Sequence, residues 1–213
     1  MKAKEFFAHI ISIVFQPLLM PLLGTFYLLY SNPFSYPDPG ENFMLLLRVA
    51  LLTFFFPAVF VGLMSALKFI GSISLRDRQD RVVPYIATMA FYIWAFYVFY
   101  SESFNGMVTF LLLASCISIV LAFLINILFL KVSMHTTAAG GMVAFFLLLI
   151  PFSQYNALWP FLTIILIAGL VGTSRLILSA HSKKEIYLGY LVGFMSFMIA
   201  MNIFHFRWSA VAK

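Results

Sequence analysis

Four residues whose side chains suit phosphate chemistry lie together in the stretch SRLILSAHSKKE, residues 174–185. They are Ser174, Arg175, His181 and Glu185, and apolar runs flank them on both sides. An arginine fork binds two phosphate oxygens through parallel hydrogen bonds, and a histidine attacks phosphorus when another group fixes its tautomer. Glu185 follows His181 by four residues, so on a helix the two side chains share a face and the carboxylate can take the Nδ1 proton. This stretch predicts a phosphoryl-transfer site.

A second group of such residues precedes this stretch, and a third precedes both. The sequence KVSMH at residues 131–135 contains Ser133 and His135, and RDRQDR at residues 76–81 contains three arginines and two aspartates. Arginine and lysine side chains beside two histidines suit a multiply charged anion such as a phosphate. His135 is then a candidate general acid that protonates the departing oxygen.

The elements that must position these residues are membrane-spanning helices. Hydrophobic residues make up 63% of the 213 residues and charged residues only 9%. A soluble domain of this length has too little core to bury so much apolar surface. A spanning helix needs about 20 mostly apolar residues, and over such long unbroken runs only a helix satisfies its own backbone in lipid. The candidate spans are residues 6–30, 43–70, 84–101, 107–130, 135–152, 158–180 and 186–206.

These spans predict an all-α, polytopic transmembrane helix bundle with about six or seven spanning helices. We expect the whole chain, residues 1–213, to form a single integral-membrane domain. If successive helices alternate in direction, the breaks at residues 71–83, 131–134 and 181–185 all lie on one face of the membrane. Ionisable groups gathered at one end of a bundle indicate a functional site. Even without the candidate arginines, this face carries an excess of lysines, so the positive-inside rule predicts that it lies in the cytoplasm. These lysines are Lys2, Lys4, Lys68, Lys131, Lys183 and Lys184.

The charge balance bears on the partners of the protein. The net charge is +6, which in a soluble protein would suggest nucleic acid. Here the basic residues cluster at the ends of apolar runs, which is typical of orientation in a membrane and of contact with anionic headgroups. We therefore expect membrane lipids as partners and no nucleic acid. Cys116 is the single cysteine of the chain, which excludes a disulfide framework.

The last of the three stretches resembles a signature of the type 2 phosphatidic acid phosphatase (PAP2) superfamily. The sequence SRLILSAHSKKEIYLGYLVG is similar to the third signature of that family, Ser-Arg-x5-His-x3-Asp followed by glycines. Glu185 stands in the aspartate position, and Gly189 and Gly193 follow it.

The other two stretches resemble the remaining signatures in the same order along the chain. VSMH is similar to the second, Pro-Ser-Gly-His, with Val132 and Met134 in place of the proline and the glycine. RDRQDRVVP loosely resembles the first, Lys-x6-Arg-Pro, with Arg76 in the lysine position and Arg81 as an arginine in a shifted register. The resemblance spans residues 76–193.

The resemblance implies a metal-independent lipid phosphatase that needs no cofactor. In the mechanism of that family, His181 would attack phosphorus, Glu185 would orient His181, and His135 would protonate the leaving group. The residues that would bind the phosphoryl oxygens are Ser133, Ser174, Arg175, and Arg76 or Arg81. The implied substrate is a lipid phosphate or a prenyl (di)phosphate, and the implied location is the bacterial cytoplasmic membrane, crossed several times.

Two other functions stay open on the same residues. Asp77 and Asp80 beside arginines are compatible with a UbiA-type intramembrane prenyltransferase, whose chemistry needs two aspartate-rich motifs that hold Mg²⁺ against a diphosphate. The sequence offers one such motif. A catalytically inactive PAP2-like protein would instead bind anionic lipids through the same arginines. Magnesium dependence distinguishes the prenyltransferase from the phosphatase, and phosphate release distinguishes the phosphatase from the lipid-binding protein.

Overall fold

The fold is a bundle of helices. The structure, a computed structural model, describes residues 3–30, 39–69, 82–102, 106–152 and 158–203. Within these ranges the regular structure is helical throughout and contains no strand. This confirms the predicted all-α class.

The α-helices that lie within the described ranges are listed here in chain order. They are α1 (Ala3–Val14), α2 (Met20–Tyr30), α3 (Pro39–Val49), α4 (Phe56–Ala66), α5 (Val82–Ser101), α6 (Gly106–Leu128), α7 (Met134–Leu149), α8 (Leu158–Ile177) and α9 (Lys183–Ile203). Short 3₁₀ turns, Pro17–Leu19 and Ile150–Phe152, follow α1 and α7. A π-helical stretch, Ala50–Phe55, joins α3 to α4.

Six stretches of the described chain are long and apolar enough to cross a membrane. Two of them are composite, α1 with α2 and α3 with α4, and the other four are α5, α6, α8 and α9. The apolar helix α7 has 16 residues, fewer than the roughly 20 that a full span requires. Each of the seven predicted spans therefore corresponds to a helical stretch, and the predicted count of six or seven is confirmed.

Prolines lie at the irregular points of the two composite spans. Pro17 has no N–H to donate and favours an extended conformation in the residue before it. Gln16 accordingly has φ −66° and ψ 140°, and α1 ends before it, at Val14. Pro57 also lacks an N–H, but there the backbone passes through the π-helical stretch and continues without a break into α4. Only the first of these two spans is interrupted by extended backbone.

The core of the bundle is built around α6, α7 and α9. Phe110, Phe145 and Phe197, one from each of these helices, meet edge to face with ring centroids 6.1 Å apart. Edge-to-face contacts suit the charge distribution of aromatic rings and add to the apolar area that the rings bury. These three helices carry much of the buried apolar surface that fixes their relative positions.

Two glycines allow α7 and α9 to approach closely. A side chain at Gly193 would collide with the Thr137 carbonyl group, and a Cβ at Gly189 would lie 2.8 Å from the Ser133 carbonyl oxygen. Small residues at such contacts let two helix backbones touch in a membrane. The contact holds the N-terminal ends of α7 and α9 side by side, and both ends carry predicted site residues.

Candidate active site

The turn between α8 and α9 holds His181. At the end of α8 the Ala180 N–H donates to the Arg175 carbonyl at 3.1 Å, and Ser179 takes a left-handed conformation with φ 50°. A residue in this conformation is a common way to end a helix. Since α9 begins two residues after His181, the ring is held between the end of one helix and the start of the next.

A capping turn at the start of α9 brings Glu185 to this ring. Ser182 and Glu185 have the spacing of a capping box, and Ser182 Oγ accepts the Glu185 N–H at 3.4 Å. In a complete capping box the glutamate side chain would bond to the serine backbone. Here Glu185 Oε2 lies 2.6 Å from His181 Nδ1 instead. The contact that the spacing predicts is thus present, but it forms across a capping turn and not along one helix face.

This contact sets the tautomer of His181. An ionised carboxylate only accepts hydrogen bonds, so Nδ1 carries the proton and the lone pair remains on Nε2. The His181 side chain is 3% exposed and that of Glu185 is 22% exposed. The ring is therefore nearly enclosed, while one side of the carboxylate reaches the surface.

Ser133 is the N-cap residue of α7, and both its backbone N–H and its backbone carbonyl form hydrogen bonds. Its carbonyl oxygen accepts the Thr137 N–H at 2.9 Å and the hydroxyls of Thr136 and Thr137 at 3.1 and 3.0 Å. Its N–H donates to the Glu185 carbonyl at 3.3 Å, which links the first turns of α7 and α9. The Ser133 hydroxyl is completely buried and has no hydrogen-bond partner among the described residues.

The two linked helix starts create a favourable place for an anion. The first N–H groups of a helix have no partner within it, and the helix dipole adds positive potential at that end. Here the starts of α7 and α9 lie together because Ser133 and Glu185 are joined through their backbones. A phosphate at a helix start gains from both effects.

Arg175, in the last turn of α8, is held by a chain of hydroxyl groups. Its Nη1 donates to Ser12 Oγ at 3.1 Å, and Ser12 Oγ lies 3.2 Å from Ser174 Oγ. Ser174 Oγ gives its only proton to the Val171 carbonyl at 2.7 Å. The Ser12 hydroxyl must therefore donate to Ser174 while it accepts from Arg175.

His135, in the first turn of α7, also reaches Ser12. Its Nε2 lies 3.1 Å from the Ser12 backbone oxygen. A carbonyl oxygen only accepts, so Nε2 of His135 carries a proton. The two histidines are thus held through opposite nitrogens, His181 through Nδ1 and His135 through Nε2.

An apolar cavity adjoins these polar residues. It has a volume of about 440 Å³, and His135, Arg175 and His181 contribute to its wall. This volume is in the range of small-molecule binding sites. The wall reaches Phe197, 14 residues into α9 and so about 21 Å from its start. Most of the remaining wall is apolar and includes Met20, Pro21, Ala58, Val61, Ile119 and Met142.

The comparison with known families agrees with this arrangement. Residues 126–209 match the family model described as the PAP2 superfamily. The match covers 84 of the 213 residues, and we call these residues the PAP2 segment. It includes the second and third predicted signatures, whose resemblance is confirmed, and begins after the loosely matching first signature at residues 76–81. No curated protein and no solved structure gives a significant match. With its membrane-length helices, the chain is a multi-pass membrane protein that carries a PAP2 segment.

The PAP2 segment brings most of the predicted site residues to one end of the bundle. The predicted residues that it places there are Ser133, His135, Ser174, Arg175, His181 and Glu185. In this group the proton of Ser174 is taken by Val171, so a direct contact of Ser174 with phosphate stays a prediction. Arg76 and Arg81 lie outside the described residues. The helix ends that flank them contribute Gly62 and Pro84 to the cavity wall.

One residue of the site, Ser12, was not predicted from the sequence. It lies in α1, outside the PAP2 segment, and contacts both Arg175 and His135. A serine in an apolar helix carries no signal of its own, because such residues often bond within their own helix. The sequence feature that could have drawn attention to Ser12 is Pro17, because a proline there ends α1 shortly after Ser12.

Proposed function

We propose that the protein is an integral-membrane phosphatase that hydrolyses a lipid phosphate or a prenyl (di)phosphate through a phosphohistidine intermediate. The observation that carries this proposal is the 2.6 Å contact between Glu185 Oε2 and His181 Nδ1 beside an apolar cavity. It holds the proton of a nearly buried histidine on Nδ1, so that Nε2 carries the lone pair of a nucleophile, and this histidine lines the same cavity as Arg175.

In the first step, His181 Nε2 attacks phosphorus, an N–P bond forms and the P–O bond to the lipid breaks. The departing oxygen takes the Nδ1 proton of a protonated His135 ring, whose Nε2–H stays on the Ser12 carbonyl. Glu185 stabilises the positive charge that develops on His181. In the second step, water gives a proton to His135 Nδ1 and attacks the phosphohistidine, the N–P bond breaks with its electron pair returning to His181 Nε2, and inorganic phosphate leaves.

The phosphoryl charge would be neutralised by groups of the protein. Arg175 would bind two equatorial oxygens, as an arginine fork does, and Arg76 or Arg81 would add a second guanidinium. The buried Ser133 hydroxyl has no partner among the described residues, and an unsatisfied buried hydroxyl costs about 1–3 kcal/mol. A hydrogen bond from Ser133 to the phosphoryl group would remove that cost.

The cavity supports a lipid as the substrate. Its wall is largely apolar and extends about 21 Å from the start of α9, so a long apolar tail would lie inside the bundle while the phosphate meets the histidines. Diacylglycerol and polyprenyl tails suit such a wall equally well. We propose the bacterial cytoplasmic membrane as the protein's location, with the polar end of the bundle facing the cytoplasm.

A panel of lipid phosphates and prenyl diphosphates tests the proposal. The purified protein should release phosphate from at least one of them with and without EDTA. A rapid quench with labelled substrate should trap an adduct that is labile in acid and stable in alkali, as a phosphoramidate is. His181→Ala should abolish both the adduct and turnover. His9→Ala, a histidine exposed on α1, is the matched control and should change neither.

Other outcomes would point to the other functions. Loss of turnover in EDTA, restored by Mg²⁺, would favour the prenyltransferase, whose aspartates Asp77 and Asp80 lie outside the described residues. Binding of lipid phosphates without release would favour the inactive lipid-binding protein. Full phosphatase activity in His181→Ala would overturn the proposed mechanism.

A further inference from the structure

Ser12 contacts two candidate catalytic residues from a part of the chain that lies outside the PAP2 segment. It is in α1, more than 110 residues before residue 126, where the match begins. The hydroxyl of Ser12 accepts from Arg175, and its backbone carbonyl accepts from His135. The residue is 8% exposed, so both contacts are shielded from competing solvent.

The carbonyl of Ser12 is available because α1 ends where it does. The last backbone hydrogen bond of α1 runs from the Phe15 N–H to the Ile11 carbonyl at 2.9 Å. Ser12 therefore contributes one of the final carbonyls of the helix, which have no partner within it. The helix stops there because Pro17 favours the extended conformation of Gln16. A continuous helix would engage the Ser12 carbonyl with the Gln16 N–H, and His135 would then have to share its acceptor.

The two contacts act on different parts of the site. The carbonyl holds the His135 ring by its Nε2 proton, which limits the orientations in which His135 can meet a leaving group. The hydroxyl is a relay that accepts from Arg175 and donates to Ser174. The chain of hydrogen bonds ends at the Val171 carbonyl of α8, to which Ser174 donates. It therefore fixes the Arg175 guanidinium relative to the helix that carries it.

We propose that Ser12 is a positioning residue for the phosphatase reaction, with its carbonyl orienting the general acid His135 and its hydroxyl orienting the phosphate-binding Arg175. Pro17 is the device that makes the carbonyl available. This inference rests on the proposed function and adds to it a contribution from α1, a helix outside both the motifs and the PAP2 segment.

The hydroxyl is tested by a pair of substitutions, Ser12→Ala and Ser12→Thr. Ser12→Ala removes the acceptor of Arg175 and keeps the backbone carbonyl. Its turnover should fall by up to about 10²-fold, as expected when a catalytic group is displaced by about 1 Å. The loss should be equal for an aryl phosphate and an alkyl phosphate, because the phosphoryl group is the same in both. Ser12→Thr keeps a hydroxyl and should recover most of the turnover.

The carbonyl is tested by Pro17→Ala. Alanine allows α1 to continue, so the Gln16 N–H would compete with His135 for the Ser12 carbonyl and the ring would be held less firmly. Turnover of an alkyl phosphate, which has a poor leaving group, should fall by about 10²-fold or more, the lower end of what a positioned general acid contributes. Turnover of p-nitrophenyl phosphate, which has a good leaving group, should change far less. A merely structural role would lower both rates together.

Two matched controls complete the set. Ser196→Ala removes a buried hydroxyl that, among the described residues, bonds only to the Val192 carbonyl within α9 and does not line the cavity. Pro160→Ala removes a proline near the start of α8, at the opposite end of the bundle. Both variants should keep the wild-type ratio of alkyl to aryl phosphate turnover.

The outcomes separate the inference from the proposed function. No phosphate release by the wild-type protein from any substrate would overturn the proposed function and the inference together. An active wild type with unchanged rates in Ser12→Ala and Pro17→Ala would overturn the inference alone. If Pro17→Ala does not fold, the tautomer of His135 is measured instead, by ¹⁵N NMR of the histidine-labelled wild type in alkaline buffer. The His135 signals are assigned by their loss in His135→Asn. An Nε2–H tautomer supports the inference, and an Nδ1–H tautomer overturns it.

Discussion

At the scale of single residues, one capping turn has two roles: it begins helix α9 and it orients the His181 ring. Ser182 caps α9 through the Glu185 N–H. The Glu185 side chain, which would complete the capping box, is directed to His181 instead. The start of a helix therefore also sets the tautomer of the candidate nucleophile.

Glu185→Gln should separate these two roles. Glutamine also occupies this position in capping boxes, so the thermal midpoint of unfolding should change little. The neutral amide cannot stabilise a positive charge on His181, and kcat should fall by about 10²-fold or more, with KM nearly unchanged. Steady-state kinetics on the best substrate measures both. Glu102→Gln, which alters a carboxylate bonded to Arg48 at the opposite end of the bundle, is the matched control and should keep wild-type kcat.

Arg175→Lys should lower turnover far more than the unchanged charge of the side chain suggests. Lysine keeps the charge but loses the planar fork that binds two oxygens and the hydrogen bond to Ser12. Removal of one transition-state donor typically lowers turnover by about 10²–10³-fold. Arg48→Lys provides the comparison, since Arg48 is half exposed and paired with Glu102. Near wild-type turnover in purified Arg175→Lys would show that Arg175 does not bind the phosphoryl group.

At the scale of the elements, the contact between α7 and α9 determines whether the two helix starts can meet an anion together. Gly189 and Gly193 leave no space for a Cβ against the backbone of α7. The hydrogen bond from the Ser133 N–H to the Glu185 carbonyl lies at the end of the same contact. A separation of the helices would therefore pull His135 and His181 apart.

Gly193→Ala should destabilise the protein and reduce its activity. The new methyl group would push against the Thr137 carbonyl, and overpacking of this kind costs about 1–3 kcal/mol. Thermal unfolding in detergent should show a lower midpoint. Gly169→Ala on α8 is the control, because a Cβ there meets nothing within 4 Å and alanine favours the helix. Equal midpoints for the two variants would contradict the close contact.

The helices and part of the site could be predicted from the sequence because their signals are local. Apolar runs of about 20 residues predict spans, and the spacing of His181 and Glu185 predicts their contact. The position of Ser12 depends on contacts 123 and 163 residues away along the chain, and no local pattern encodes those. Pro17 predicts that α1 is interrupted, but which residue the Ser12 carbonyl then meets depends on where α7 lies.

At the scale of the whole molecule, the two ends of the bundle differ in charge. One end holds the histidines together with Lys4, Lys68, Lys131, Lys183 and Lys184. At the other end of the described chain, Arg48 forms an ion pair with Glu102 at 3.2 Å, which offsets its charge. The positive-inside rule counts lysines and arginines near helix ends, and it favours the cytoplasm for the histidine end.

Single cysteines in a Cys116→Ala background test this orientation. Ser101→Cys and Lys184→Cys place exposed thiols at opposite ends of the bundle. An impermeant maleimide should label Ser101→Cys in intact cells and should label Lys184→Cys only after permeabilisation. The reverse pattern would place the histidines on the outer face.

The distance along the chain between Ser12 and its partners also bears on how the protein is made. Arg175 is translated 163 residues after Ser12, a delay of roughly 8–33 seconds at a synthesis rate of about 5–20 residues per second. In the earlier part of that interval neither α7 nor α8 has been made, so α1 has neither helix to pack against. Helices inserted independently associate afterwards by lateral docking. Biogenesis thus places the first helix in the bilayer early and completes the candidate site late, so a ribosome-bound intermediate that ends before α8 should have no phosphatase activity.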